Sequence, residues 1–231
     1  MYAKFFKRAI DFLLSLMALS ILSPVILILV IVGAIAMKGN PFFTQLRPGK
    51  IDKKTGKEKI FRLIKLRTMS NAKDKDGNLL PDDVRLNKYG RILRSTSLDE
   101  LPELINILLG NMSIFGPRPQ LVRDMVFMSE EQRQRHSVRP GLTGLAQVNG
   151  RNNITWEEKF EWDLKYIANI GFIGDVKIIF KTVAKVFKRE DTVRDGTESD
   201  IDFGDWLIKE NKIDTETYQK KQNEAKELMM R

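Results

Sequence analysis

Apolar positions dominate the first forty residues. From Phe12 to Met37 roughly 26 consecutive residues carry no charge. As a helix rising ~1.5 Å per residue they are long enough to cross the ~30 Å hydrocarbon core of a bilayer. Ser23-Pro24 falls near the middle, where Pro24 has no N–H for the Ser20 carbonyl and its ring pushes that turn open. Each arm alone, about 12 residues, reaches roughly 18 Å, so the run either crosses once with a kink or enters and returns. Positive residues flank both ends: Lys4, Lys7 and Arg8 before it, Lys38, Arg47, Lys50, Lys53 and Lys54 after it. Such residues mark the cytoplasmic side, so a re-entrant hairpin satisfies both flanks and a spanning helix only one. A cleaved signal peptide is the third reading. The basic start and Ala34-Ile35-Ala36 suit it, but the apolar core far exceeds the ~7–15 residues of such a segment.

Beyond Phe42 the period shortens. "FFTQ" and "IFRLIKLRTM" read as strands bracketing the turn-rich "RPGKIDKKTGKEK", and in the second strand Lys65 and Arg67 share a face. "KDKDGNLLPDD" has the look of a calcium loop, but Gly77 follows Asp74 and Asp76 too soon for that register, so a plain turn is expected. "VRLNKYGRILRSTS" carries Arg85, Lys88, Arg91 and Arg94 and leads into Asp99-Glu100 at the mouth of an apolar helical run, "LPELINIL". Then come "GNMSIFGPRPQL", whose two prolines fix the backbone around Arg118, and the Gly- and Asn-rich "HSVRPGLTGLAQVNGRNN" with Arg139 and Arg151. Glycines let a backbone approach a ligand closely, although this loop is neither a Walker loop nor a dinucleotide fingerprint. In "FIGDVKIIFKTVAKVFKR", Phe172, Val176, Ile179, Phe180, Val183 and Phe187 recur at helical spacing opposite Lys177, Lys181, Lys185 and Lys188. That is a basic amphipathic helix suited to a membrane surface, or a core helix with a solvated lysine face. From Glu190 the chain is polar and charge-mixed, with an island at Asp202-Phe203-Gly204-Asp205-Trp206 and a helical pattern in "TYQKKQNEAKELMMR".

Composition narrows the chemistry. The 231 residues carry a formal net charge of +9, which points to anionic partners: phosphate-bearing ligands, acidic lipids or nucleic acid. With no cysteine and a single histidine, thiol catalysis, disulfides, Cys-based metal sites and poly-His sites are excluded, and a Ser-His-Asp triad has little to draw on.

Asp99-Glu100 admits two explanations. Ser97-x-x-Glu100 matches a capping box, and Asp99 is alternatively the N-cap itself, which suits Pro102 in the first turn. A capping acid needs no cations around it, however, and Arg94, Arg118, Arg139 and Arg151 lie in stretches rich in proline and glycine. Adjacent carboxylates with several cations suit Mg²⁺-assisted phosphoryl transfer, in which one acid attacks phosphorus or holds the metal and the cations neutralise a diphosphate.

Taken together, these motifs resemble the bacterial sugar transferases, also called polyprenyl-phosphate hexose-1-phosphate transferases or monotopic phosphoglycosyl transferases. The resemblance runs from "KRAIDFLLSLMALSILSPVIL" through "FTQLRPG", "FRLIKLRTM", "RSTSLDELPELINILLGNMSIFGPRP" and "RHSVRPGLTGLAQVNGRNNITWEEKFEWDLKYI", nearly all of Met1 to Arg189. It implies an α+β, mostly helical fold on a monotopic membrane protein. The parts would be a re-entrant anchor over 1–40 broken at Ser23-Pro24, a compact cytoplasmic catalytic domain over 41–189 with interfacial amphipathic helices, and a polar extension over 190–231. It implies that Asp99 attacks the β-phosphate of a UDP-sugar, releases UMP and holds a phosphosugar that undecaprenyl phosphate then takes, the first membrane step of glycan assembly. It implies Mg²⁺ held by Asp99 and Glu100, with Glu100 as metal ligand or proton handler. Lys65, Arg94, Arg118, Arg151, Asp163 and Tyr166 fall on the family's phosphate- and nucleotide-binding positions. Membrane lipids are expected partners at the cytoplasmic face of the inner membrane, nucleic acid is not, and a homodimer is left open.

Overall fold

The computed structural model describes residues 2–150, 154–188 and 201–230. Helix α1 (Lys7–Ala36) follows a π-helical turn at Tyr2–Phe6 and is long and apolar enough to cross a membrane. It runs on through Ser23-Pro24 without a non-helical break. The reason is local: the Ser23 hydroxyl donates to the Ser20 carbonyl at 2.9 Å, filling the acceptor that Pro24 has no N–H to serve. Both ends of α1 touch the body of the protein. Near its start Arg8 donates to the carbonyls of Ile107 and Leu108, and buried Asp11 accepts from the Ile114 N–H. Near its end Tyr89 donates to the Leu29 carbonyl and Asn87 to that of Ala36.

Strands β1 (Phe42–Ile51) and β2 (Glu58–Leu66) form an antiparallel hairpin with Phe43 opposite Lys65. β1 continues past "FFTQ" through Arg47-Pro48-Gly49, which the sequence reads as turn. The register shift between Pro48 and Ile51 accommodates the proline, which gives no N–H to a ladder, in a bulge. The acidic "KDKDGN" is a turn, closed by Asp74 accepting from the N–H groups of Asp76 and Asn78. Helix α2 (Lys88–Thr96) is capped by Asn87, α3 (Glu103–Leu108) packs on β2, and β3 (Ser113–Phe115) pairs in parallel with β4 (Gly141–Thr143). Between them α4 (Val122–Met125) starts the segment leading to Arg135.

Helices α5 (Trp156–Ala168) and α6 (Phe172–Lys188) follow. α6 turns Asp175 and Ile178 into the protein and leaves Phe172, Ile173, Phe180 and Val183 exposed, so its buried face is offset from the apolar stripe the spacing suggests. Phe187, Lys188 and Arg151 lie outside the residues whose side chains are described. Helices α7 (Phe203–Lys209) and α8 (Thr215–Met230) close the chain against the body. Phe203 and Leu207 join Met128, Trp156 and Phe160 in one cluster, and Ala225 packs with Val122, Met125 and Val126 in another. A third cluster, Phe61 and Leu63 of β2 with Leu104, Ile107 and Met112, receives Ala18 and Leu19 from α1. It lies directly beneath the charged residues described next.

Candidate active site

Strand alternation places Lys65 on the same face as Phe61 and Leu63, the face that covers α3. The edge of β2 is pinned to α3 by one side chain: buried Asn106 accepts from the Ile64 N–H at 3.0 Å and donates to the Arg62 carbonyl at 2.9 Å. Across this seam the Lys65 ammonium meets the carboxylates that precede and open α3. It lies 2.8 Å from Glu100 Oε1, 3.1 Å from Glu103 Oε1 and 4.0 Å from Asp99 Oδ2.

Neither capping account of the acidic pair holds. Ser97 closes α2 in a left-handed conformation, φ 56°, and contributes no side-chain cap to the short 3-10 turn Leu98–Glu100 that carries the dyad. The N-cap of α3 is Pro102. The Glu100 carboxylate is engaged instead by side chains, receiving Lys65 and the Arg118 guanidinium, 2.6 Å away, on the same oxygen.

Arg118 projects from "GPRP", a loop held through its backbone. The Arg118 carbonyl accepts from Arg135 at 2.8 Å and the Pro119 carbonyl from Arg47 at 3.1 Å. Before the loop, Gly116 lies hard against the Gly-rich segment. A Cβ on Gly141 would stand 2.1 Å from the Gly116 nitrogen, and one on Gly144 would stand 2.1 Å from the Gly116 oxygen. These two glycines allow the backbones to pack directly on each other beside β3 and β4. Arg139, from the same segment, donates to the Gly110 carbonyl.

The remaining expected residues fall at different distances from the dyad. Arg94, in the last turn of α2, donates to Thr68 and Met69 and its charge acts on Asp99. Asp163 is buried and paired with Arg135 at 2.9 and 2.6 Å, so it connects to Arg118 only through Arg135. Tyr166 is also buried, donating to Asp175 at 2.9 Å and to the Phe115 carbonyl at 3.2 Å. Asp175 in turn receives Tyr2 and Lys7 from the N-terminal segment. The structure therefore brings Lys65, Asp99, Glu100 and Arg118 together, whereas Asp163 and Tyr166 are buried in contacts of their own. Sequence reasoning missed Glu103, Asn106 and Arg135. Glu103 had a signal: it stands four residues after Asp99 and three after Glu100, which on a helix is the same face.

Electrostatics separates the two adjacent acids. Burial raises the Asp99 carboxyl, and the Glu100 charge adds to this against the pull of Lys65. Burial also pushes Glu100 up, but Arg118 and Lys65 overcome it and hold that carboxyl far below the usual range. Glu103, buried beside the Glu100 charge, rises to about 7. The Glu100 charge in turn keeps Arg118 firmly protonated. A pair of like groups driven apart in this way is a signature of divided chemical roles.

A divalent cation would find hard oxygen donors in this cluster. Among the described residues no three His, Cys, Asp or Glu side chains converge on one point, which argues against an all-protein cage. Mg²⁺ takes one or two carboxylates and completes its shell with water and phosphate oxygens. Asp99 and the Glu100 oxygen turned away from the two cations fit that smaller set.

Comparison with known proteins agrees with the geometry. A family model described as bacterial sugar transferase matches residues 2–189. The chain is 45% identical over 184 residues to the sugar transferase EpsL of Bacillus subtilis (strain 168), covering 80% of this chain and 88% of that protein. It is 32% identical over 197 residues to the exopolysaccharide production protein ExoY of Sinorhizobium fredii (strain NBRC 101917 / NGR234), 78% of this chain and 84% of that one. It is 39% identical over 194 residues to the UDP-glucose:undecaprenyl-phosphate glucose-1-phosphate transferase of Klebsiella pneumoniae, where 79% of this chain corresponds to only 40% of the relative's length.

Proposed function

The chain belongs to the bacterial sugar transferases, and on that premise we propose that it transfers a sugar 1-phosphate from a UDP-sugar to undecaprenyl phosphate, with Asp99 as nucleophile. The observation that carries the reading is geometric: Lys65 and Arg118 converge on one Glu100 oxygen at 2.8 and 2.6 Å and leave the neighbouring Asp99 carboxylate 4.0 Å from the Lys65 ammonium. Glu100 is a permanent anion that fixes Arg118 and Lys65. Asp99, 4.0 Å from its nearest ammonium and destabilised as an anion by burial, keeps its lone pairs available for attack.

In the first half-reaction an Asp99 carboxylate oxygen bonds to the β-phosphorus. The bond from that phosphorus to the bridging oxygen breaks, and UMP leaves with the oxygen. In the second, a phosphate oxygen of undecaprenyl phosphate attacks the same phosphorus and expels Asp99. With Asp99 attacking as a carboxylate and the lipid phosphate as an anion, neither bond exchange itself transfers a proton. This favours Glu100 as an organiser of charge over Glu100 as a proton carrier. Arg118, about one-third exposed, is placed to meet incoming phosphate oxygens. Asp99 and Glu100 would hold Mg²⁺, which when bound neutralises charge on the diphosphate.

The same reading places the enzyme at the cytoplasmic face of a membrane with α1 as a re-entrant anchor. Both ends of α1 are tied to one body, and the central residues Ile21, Val25, Leu27 and Ile28 are exposed, as are Phe172, Ile173, Phe180 and Val183 of α6. A helix crossing the bilayer would carry one end away from that body.

The test is product analysis with UDP-glucose, UDP-galactose and UDP-N-acetylgalactosamine in the presence of undecaprenyl phosphate and Mg²⁺. UMP, not UDP, is expected, and Asp99→Asn is expected to lose turnover by on the order of 10³-fold or more while keeping its fold. Release of UDP, or an active Asp99→Asn, would overturn the covalent route.

A further inference from the structure

Glu103 is a buried acid that the chemistry above does not use. Its side chain is 2% exposed, against 14% for Asp99 and 13% for Glu100, so it is shut off from any diphosphate that reaches the dyad. Its place at the start of α3 does not account for it. The dipole favours an acid at a helix N-terminus only weakly, and burying a carboxylate among like charges costs more than that returns. What Glu103 does touch is the Lys65 ammonium, 3.1 Å away.

Lys65 has three carboxylate neighbours and is held closely by two of them. Glu100 shares its oxygen with Arg118, so its hold on Lys65 is divided. Without the Glu103 carboxyl beside it, the ammonium would be shared between Glu100 and Asp99 alone, and a closer ion pair with Asp99 would tie up the oxygen that attacks phosphorus.

We propose that Glu103 is a positioning residue: it holds the Lys65 ammonium back from Asp99 and so keeps the nucleophile free. The inference rests on Asp99 being the attacking group, as argued above. Glu103 never meets substrate. It acts through Lys65, and its influence falls on the rate of attack and not on donor binding, which Arg118 serves.

A double-mutant cycle tests this. Wild type, Glu103→Gln, Lys65→Met and the double variant are compared by the rate of the UMP burst without undecaprenyl phosphate, using the donor selected from the three-sugar panel. Glu103→Gln is expected to slow the burst on the order of tenfold with the donor KM within about twofold. In the Lys65→Met background it is expected to cost nothing further. An equal loss in both backgrounds, an unchanged burst in the single variant, or a loss confined to KM overturns the proposal. Thermal unfolding of each variant reports folding. If Glu103→Gln fails to fold, the same cycle is run with Glu103→Asp, which keeps the charge but withdraws it by one methylene, and the same outcomes apply. A wild-type enzyme that releases no UMP removes the assigned chemistry and this inference together. A wild-type burst with additive variants removes only the role of Glu103.

Discussion

Asp99 and Glu100 are neighbours in the chain and share one set of cations, yet their carboxyls are displaced in opposite directions. The difference comes from which oxygen each cation reaches, not from residue type. A second acid, remote from the dyad, shows the same physics in stability. Glu58 is buried against Arg133 and His136, its Oε1 3.0 Å from the His136 Nδ1. Burial pushes its carboxyl up, but the bonds from His136 and Arg133 bring it down to about 2. A folded-state pKa below the unfolded value means stability fully present above about 4.5 and lost as pH falls toward 2. The thermal midpoint of the wild type is therefore expected to drop steeply across that window. Glu58→Gln, less stable at neutral pH, is expected to show a shallower slope there; equal slopes would refute the assignment. At this scale the sequence exposes what is adjacent: Asp99, Glu100 and the "GPRP" arginine are legible because the chain writes them together. Glu103 shares their helical face, but its counter-ion arrives from a strand 38 positions upstream, and spacing does not report that.

Between elements, one amide does much of the joining. Asn106 satisfies both a donor and an acceptor on the open edge of β2, and so sets the height at which Lys65 meets the carboxylates of α3. Asn106→Ala removes the partner of a part-buried N–H and a part-buried carbonyl, each loss costing about 1–3 kcal/mol where water does not replace it. We expect a loss of about 2–3 kcal/mol in denaturant-induced unfolding, and a near-neutral result would mean that water or a neighbour replaces the amide. Such bonds explain why elements were easier to read than their contacts. The hairpin follows from alternation, although "RPGK" forms a bulge inside β1 and not the turn its composition suggests. The α8 helix is visible in its period, whereas its seat against Val122 and Met125 is not. The three-residue strands β3 and β4 are too short to leave a periodic trace.

For the molecule as a whole, the apolar helix is the organising part. Its hydrophobicity and its Ser-Pro pair are plain in the sequence; what the pair does is not. The structure retains the helix through Pro24 because Ser23 serves the orphaned carbonyl, so a bend at that point exposes no unsatisfied acceptor to hydrocarbon. With Arg8 and Asp11 tied at one end and Leu29 and Ala36 at the other, both flanks are expected on one side of the membrane. The chain has no native cysteine, so single cysteines placed at Lys4 and Lys50 can be labelled separately in sealed vesicles. Equal accessibility from the cytoplasmic side is expected, and opposite-side labelling would establish a spanning helix.

The contact between Gly116 and the segment of Gly141 and Gly144 has a mechanical consequence. Side chains between two strands act as cushions that absorb small displacements, and here there are none. Only Pro117 separates Gly116 from Arg118, and Arg135 and Arg47 clamp the Arg118 and Pro119 carbonyls. Movement of the 139–145 segment is therefore expected to pass to Arg118 as along a rigid linkage, so that pressure on one backbone is felt as a change of aim in the other.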